Sequence, residues 1–129
     1  MTTMRAVAVN ISYGEAADKI AILEIKLARI ADPEKLANVR KELALLAAAF
    51  AVPRTPELDA LRAELKAVNE TLWQIEDDIR LCEARGDFGE AFIRLARAVY
   101  RTNDERAALK RRIDAMLGSE LREEKSYGA

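Results

Sequence analysis

Four runs of apolar residues spaced three and four positions apart constrain the fold of this chain most strongly. The third run is the most regular, and its members are Leu58, Leu61, Leu65, Val68, Leu72, Ile75, Ile79 and Cys82. This spacing returns every residue to one face of an α-helix, whereas it would scatter them over both faces of a β-strand. The chain is therefore predicted to be all-α.

Start and stop signals bound the four runs. An N-cap residue followed by a capping-box acid or a first-turn proline precedes each run, and a glycine follows the last two. These residues are Ser12 with Glu15, Asp32 with Pro33, Thr55 with Pro56, Asp87 with Glu90, and the glycines Gly86 and Gly118. The predicted helices cover about residues 13–31, 33–52, 56–85 and 88–117. Thr102 and Glu105 form one more capping box, but the periodicity continues through them and favours a single fourth helix.

The connections between these helices are short, which makes consecutive helices antiparallel neighbours. The prediction is one domain over residues 1–129, an up-down-up-down helical bundle of two helical hairpins with seams typical of a coiled coil. Short extended segments are predicted at both ends. Val7, Val9 and Ile11 alternate as in a strand, and the tail with Leu121 and Tyr127 allows a second one, so the ends are expected to form a small two-stranded cap.

The last two helices are longer than the first two, at ~45 Å against ~28 Å for a rise of ~1.5 Å per residue. The tip of the longer hairpin is therefore expected to project beyond the shorter one. That tip contains Ile79, Cys82, Phe88, Phe92 and Leu95. Because apolar side chains of this size are rarely left in water as a patch, we predict a homodimer in which the tips, or the hairpins that carry them, pack on a partner chain.

Composition narrows the classes of function. The net charge is −1 and the chain contains no histidine and one cysteine. A balanced charge creates no field that attracts nucleic acid or an anionic membrane, so neither partner is predicted. The missing histidines exclude the commonest metal ligand and general base. There is no apolar run of ~20 residues and no signal peptide pattern, so a cytoplasmic protein without a cofactor is expected.

A polar cluster interrupts the apolar stripe of the fourth helix. Arg106 and Thr102 occupy positions of that stripe between Val99 and Leu109, where a guanidinium needs partners. Counting ~1.5 Å per residue from the end where the first helix starts places Arg106 and Glu24 near ~16 Å, Asn69 near ~20 Å and Thr102 near ~22 Å. The candidate site therefore consists of Glu24, Asn69, Trp73, Thr102, Asn103 and Arg106.

Two interpretations of this cluster stay open. In the first, Arg106 pairs with Glu24 and the amides complete a structural network that fixes the packing of the helices. In the second, Arg106, helped by Arg40 and Lys110, holds a carboxylate or phosphate in a pocket beside Trp73. Because one arginine and one carboxylate at the same height satisfy each other, the first is favoured. The predicted function is a non-enzymatic, dimeric protein-interaction module, and the alternative is a binding protein or small enzyme for an anionic metabolite.

The acidic run Glu76, Asp77 and Asp78, followed by Glu83, is a candidate magnesium site. Glu15 and Asp18 also have a suitable spacing, but no matching pair follows on the third helix. A simpler interpretation explains the acids: residues 56–85 carry eight acids and four bases, and residues 88–117 carry four acids and seven bases. The two helices of the long hairpin thus have complementary flanks, and no metal is predicted.

Several polar blocks of the sequence resemble a known family. ISYGEAADKIAILEIKL, KLANVRKELALL, LWQIEDDIRLCE, FIRLARAVYRTNDERAALKRRI and GSELREEKSY are together similar to a family of small bacterial proteins classed only as a domain of unknown function. The resemblance extends from Ile11 to Tyr127 and implies no activity or cofactor. It implies that the residues of the pattern are the ones to test: Tyr13, Gly14, Glu15, Asp18, Lys19, Glu24, Trp73, Glu76, Asp77, Asp78, Tyr100, Arg101, Thr102, Asn103, Asp104 and Arg106.

Overall fold

A computed structural model of the chain describes residues 4–122 and 124–126 and confirms the all-α prediction. Its helices are α1 (Tyr13–Arg29), α2 (Pro33–Ala49), α3 (Pro56–Arg85) and α4 (Glu90–Leu117). The side chains of Ser12, Asp32 and Thr55 accept hydrogen bonds from first-turn N–H groups of α1, α2 and α3, as predicted. Gly86 and Gly118 end α3 and α4 in the left-handed conformation, with φ of 67° and 66°.

The helix boundaries differ from the prediction at three ends. α1 and α2 end two and three residues earlier than expected, and α4 begins at Glu90 rather than at residue 88. The Asp87–Glu90 capping box is wrong, because the Asp87 carboxylate accepts from the N–H of Gly89 and Gly89 is the N-cap. α4 runs through Thr102 without a break, as the periodicity indicated.

The helices form the two predicted hairpins, α1 with α2 and α3 with α4, and α1 joins them by packing against both α3 and α4. The expectation that α2 also neighbours α3 is wrong. All four helices are described in full, and α2 packs only on α1. The connection over residues 50–55 is longer than predicted, so it lets α3 start away from α2. Val39 is accordingly the one buried residue of α2.

The hydrophobic core lies between α1, α3 and α4, at the end where α1 begins. Its buried members are Ala17, Leu58, Leu61, Leu65, Leu109 and Ile113. Phe50, which follows α2, packs against this cluster. Its ring lies edge-on to Tyr13 with centroids 6.3 Å apart, and the guanidinium of Arg62 lies 4.9 Å from the Phe50 ring. This aromatic contact fixes the end of α2 to the core.

Contacts along α1 show how far it covers the long hairpin. Gly14 contacts Asp114 of α4, Glu24 pairs with Lys66 of α3, and Arg29 lies over the ring of Trp73. α1 is therefore parallel to α3 and antiparallel to α4. We call α1 with residues 56–75 and 102–117 the base, and residues 76–101 the arm. Asp18 is level with Asn69 and α1 continues to Arg29, so at ~1.5 Å per residue the arm extends ~9 Å beyond the end of α1.

The described parts of the terminal segments form neither helix nor strand, with bends at residues 5–6 and 120–121, so the expected two-stranded cap is absent from them. Val7, Val9 and Ile11 are exposed, as is Leu121, and Tyr127 lies outside the described residues. Within residues 4–122 and 124–126, none of the helices combines the length and the apolar character that crossing a membrane requires.

Candidate functional site

The carboxylate of Asp18 is the centre of a buried polar cluster. Its side chain is 0% exposed. Oδ1 accepts hydrogen bonds from Arg106 Nε and from Asn69 Nδ2, each at 2.9 Å, and Oδ2 accepts from Arg106 Nη2. The bidentate pairing of a guanidinium with a carboxylate is the geometry in which a buried ion pair is best compensated. Asp18 thus joins α1 to both helices of the long hairpin.

Lys110 extends the cluster toward the start of α1. Its Nζ lies 2.6 Å from Glu15 Oε2 and 3.9 Å from Asp18 Oδ2. The Lys110 side chain is buried, whereas Glu15 reaches the surface and also contacts Lys19 at 3.7 Å. We call Glu15, Asp18, Asn69, Arg106 and Lys110 the charge network. Two acids face two bases in it, so the network is neutral as a whole.

The network requires a close approach of α1 to α4, and Gly14 permits it. A Cβ at this position would lie 2.2 Å from the carbonyl oxygen of Lys110 and 2.9 Å from Asp114 Oδ1. The Gly14 N–H instead donates to Asp114 Oδ1 at 2.6 Å. The fully buried Asp114 carboxylate thus lies at the N-terminus of α1, where the helix dipole favours a negative charge. No residue that the structure describes donates to its other oxygen, Oδ2.

Two amides fix the orientation of the arginine and its acid. Asn69 Nδ2 donates both to Asp18 and, at 3.1 Å, to the carbonyl of Leu65, so its amide nitrogen must face these two acceptors. Asn103 Oδ1 accepts from Arg106 Nη1 at 3.4 Å. The guanidinium is therefore held by Asp18 on one edge and by Asn103 on another. Asp18 is fully buried, and its contacts link α1 to both α3 and α4.

The structure brings most of the predicted site together. Arg106 donates a hydrogen bond to Asn103. Asn69 and Arg106 both donate to Asp18. Thr102 is buried one turn before Arg106, and Trp73 lies half-buried one turn after Asn69. Arg40 is exposed on α2, which packs only on α1. Lys110 pairs with Glu15 and also borders a cavity together with Arg106.

The prediction that Glu24 pairs with Arg106 is wrong. Glu24 is exposed and forms a surface ion pair with Lys66 at 3.8 Å. It lies six residues after Asp18, which at ~100° per residue turns it ~120° around α1 and away from Arg106. Counting heights alone missed this rotation.

The position of Asp18 on α1 is a signal that can be read from the sequence. It lies on the same face of α1 as Gly14, Ala21 and Ile25, which are buried. An acid on that apolar face is the same kind of exception as Arg106 on α4. Pairing the two exceptions by sign would have identified the ion pair.

Two cavities border Arg106. The first, of about 300 Å³, opens between the end of α1 and the long hairpin. We call it the arm groove, and its lining residues are Ile22, Ile25, Asn69, Leu72, Trp73, Glu76, Asp77, Arg80 and Arg106. The second, of about 120 Å³, lies on the α4 side and is lined by Asn103, Arg106, Ala107, Lys110 and Lys125.

The acidic run on α3 is engaged with neighbours on its own helix. Glu76 pairs with Arg80 at 3.4 Å, and Asp78 accepts from Gln74 at 3.0 Å. Across the described ranges, no three side chains of the Asp, Glu, Cys or His type come close enough together to hold a metal ion.

Comparison with known proteins assigns the chain to a family. Residues 7–129 match a family of unknown function, DUF6165. The chain belongs to this family. Membership in DUF6165 confirms the resemblance to a domain of unknown function. The matched residues include both the base and the arm. No curated protein and no solved structure gives a significant match.

Proposed function

We propose that this protein is a non-enzymatic helical module that dimerises through its arm. The observation that supports this proposal most directly is the exposure of the arm. The structure describes every residue from Glu76 to Arg101, and Cys82 is the single buried residue among them. Phe88, Ile93 and Tyr100 are 55%, 53% and 54% exposed. Large apolar side chains grouped on one projecting element mark an interaction surface rather than a finished fold.

The position of this surface on α4 indicates that a helix covers it. Ile93 and Tyr100 are seven residues apart and share a face of α4 with Ala96, which lies between them. Continued into the base, this side of α4 reaches Asn103 and Ala107, beside the contact with α1. In the arm the covering helix has to come from a partner.

Charge complementarity favours a second copy as that partner. Residues 76–85 of α3 carry four acids and two bases, whereas residues 90–101 of α4 carry one acid and three bases. A two-fold dimer in which the α4 segments pack antiparallel, as in a coiled coil, brings the acidic α3 flank of each copy toward the basic α4 flank of the other. A surface with both signs on one hairpin is complementary to itself. The chain has a single cysteine, Cys82, and its thiol is buried, which further supports a cytoplasmic location.

Sedimentation of three purified proteins tests this proposal. We expect the wild type to sediment as a dimer at micromolar concentration and Ile93→Glu to sediment as a monomer, because a carboxylate in the arm interface would be desolvated. Leu45→Glu is the matched control, since Leu45 is 49% exposed but lies on α2. It should remain dimeric. A wild type that sediments as a 14.4 kDa monomer would overturn the proposal.

A second candidate is a binding site, or a small active site, for an anionic metabolite at Arg106. The cavity of about 120 Å³ supports it, because Arg106, Lys110 and Lys125 line a volume that could accept a phosphate or carboxylate group. The neutrality of the charge network argues against it. Thermal unfolding in the presence of inorganic phosphate separates the two: a phosphate-dependent rise of the melting temperature that is lost in Lys125→Gln would favour the ligand site.

A further inference from the structure

The arm groove has the size and the apolar lining of a small-molecule site. Its volume of about 300 Å³ lies at the lower end of the range for ligand pockets. Two side chains of α1, Ile22 and Ile25, and two of α3, Leu72 and Trp73, supply the apolar lining. A ligand in the groove can therefore bury an apolar body between two helices of the same chain.

The charged side chains of the groove leave one acid without a partner. Arg106 is paired with Asp18, and Arg80 is paired with Glu76 at 3.4 Å. Asp77 also lines the groove, and no residue of the described chain pairs with its exposed carboxylate. The groove thus presents one uncompensated negative charge, which a cationic ligand would complement.

The spacing of Asp77 and Trp73 indicates the shape of that ligand. Asp77 lies one turn after Trp73 on α3, and side chains four residues apart on a helix have Cβ atoms ~5–6 Å apart. A short arylalkyl amine has a similar separation between its ammonium group and its ring. Arg29 lies 5.8 Å from the Trp73 ring centroid, so this ring already accepts a cation of the chain beside it.

We infer that the arm groove binds a small primary amine that carries an apolar or aromatic body. The body packs against Trp73 and the isoleucines of α1, and the ammonium group donates hydrogen bonds to Asp77. The groove suits a cation rather than an anion, because both of its arginines are paired with carboxylates of the chain.

This site goes beyond the proposed function and does not depend on dimerisation. On α4 the groove is lined by Arg106 alone, whereas the face proposed for the partner contains Ile93 and Tyr100. Tyr100 lies six residues before Arg106, which at ~100° per residue places it ~120° around α4. The ligand can therefore be tested in the wild type and in the Ile93→Glu variant alike.

The fluorescence of Trp73, the single tryptophan of the chain, tests the inference in both proteins. The probes are phenethylamine, phenethyl alcohol and phenylpropionate, which share an aromatic body and differ in charge. Phenethylamine should cause a saturable change of the emission at millimolar or lower concentration. The neutral and anionic probes should bind about fivefold more weakly or not at all, because only the cation gains from Asp77.

Two neighbouring acids provide a matched pair of variants. Asp77→Asn should weaken phenethylamine binding by about fivefold, the upper end for an ion pair at an exposed carboxylate. Asp78→Asn removes the same charge one residue later, but Asp78 accepts a hydrogen bond from Gln74 and does not line the groove. Its affinity should stay within about twofold of the parent protein, because a solvent-exposed charge away from the ligand is screened.

A third variant tests the position of the apolar body. Ile22→Phe places a larger side chain in the groove and should prevent binding of phenethylamine, and its thermal unfolding shows whether it is folded. If it is not, the Asp77→Asn and Asp78→Asn pair decides the test.

The outcomes distinguish this inference from the proposed function. No saturable change with phenethylamine, tighter binding of phenylpropionate, or equal affinities in Asp77→Asn and Asp78→Asn would each overturn the amine site and leave dimerisation through the arm intact. A wild type that is monomeric at every concentration overturns the dimer and leaves the amine site intact, since the site is complete within one copy.

Discussion

The base and the arm are two regions of one helical hairpin that differ in what covers them. In the base, α1 lies on α3 and α4, and the side chains beneath it include a buried aspartate with an arginine, a lysine and an amide around it. In the arm, α1 lies beside only the first residues of α3, and the exposed side chains include Phe88, Ile93 and Tyr100. The base therefore buries charged residues next to an apolar core, whereas the arm exposes large apolar residues.

This contrast shows that burial in this protein depends on which helices cover a residue as well as on the residue type. A charged side chain is tolerated in the base because α1 brings its counter-charge with it. Apolar side chains are exposed in the arm because no helix that the structure describes extends far enough to cover them.

The largest effect is expected from breaking the charge network. Arg106→Met leaves Asp18 buried without its bidentate partner, so the free energy of unfolding should fall by about 3 kcal/mol, the lower part of the range for a broken buried pair because the Arg106 side chain is 27% exposed. Thermal and urea unfolding at fixed protein concentration measure this. Arg94→Met in the arm is the control and should change stability by less than about 0.5 kcal/mol.

A double variant tests whether the network is purely structural. Adding Asp18→Leu to Arg106→Met removes both charges and should recover much of the lost stability, since an apolar pair often replaces a buried ion pair without cost. If the double variant is as unstable as the sum of the two single variants, Asp18 and Arg106 are not energetically coupled.

The next effect is expected at the closest contact of the base. Gly14→Ala places a Cβ 2.2 Å from the Lys110 carbonyl, so α1 must shift and the free energy of unfolding should fall by about 2 kcal/mol. Gly89→Ala in the arm is the matched control, because the nearest atom would lie at 3.4 Å. Equal unfolding midpoints for the two alanine variants would contradict the close packing of α1 on α4.

Hydrogen exchange should resolve the two regions within one sample. Amides of α1 and of the buried part of α4 should exchange through nearly global unfolding, whereas amides between Glu76 and Arg101 should exchange faster through local opening in a monomeric variant such as Ile93→Glu. In the wild type at high concentration the arm should become protected. Arm protection that is the same in the monomeric variant and in the concentrated wild type would show that the arm needs no partner.

The smallest effect concerns the phenol of Tyr100. Hydrogen bonding by Arg97, together with the charges of Arg97 and Arg101, lowers the pKa of Tyr100 below its ordinary value of 10.0. The resulting stabilisation of the folded chain is present above the pKa of the unfolded phenol and is lost as the pH falls through the folded value, so it contributes nothing at neutral pH.

Tyrosine NMR titration of the monomeric Ile93→Glu variant measures this pKa. Adding Arg97→Gln should raise the pKa of Tyr100, whereas Lys41→Gln on α2 should leave it unchanged. In the dimer, burial of Tyr100 should raise its pKa relative to the monomer, because desolvation disfavours the phenolate. A pKa that does not depend on protein concentration would place Tyr100 outside the interface.

The sequence by itself determined the helices and most of their ends. Helical periodicity and capping depend on residues a few positions apart, and Ser12, Asp32, Thr55, Gly86 and Gly118 act within one turn of the helix that each begins or ends. The sequence also showed that Arg106 is out of place on an apolar stripe, and that the long hairpin outreaches the short one. These conclusions need no knowledge of which helices touch.

Only the tertiary structure decided which side chains meet. It placed Asp18 rather than Glu24 against Arg106, kept α2 away from α3, and opened the arm groove beside Trp73. Each result depends on how far a helix is rotated about its axis and which neighbour it packs on. These quantities come from summed contacts across the whole core, and a rotation of ~100° exchanges one residue for the next.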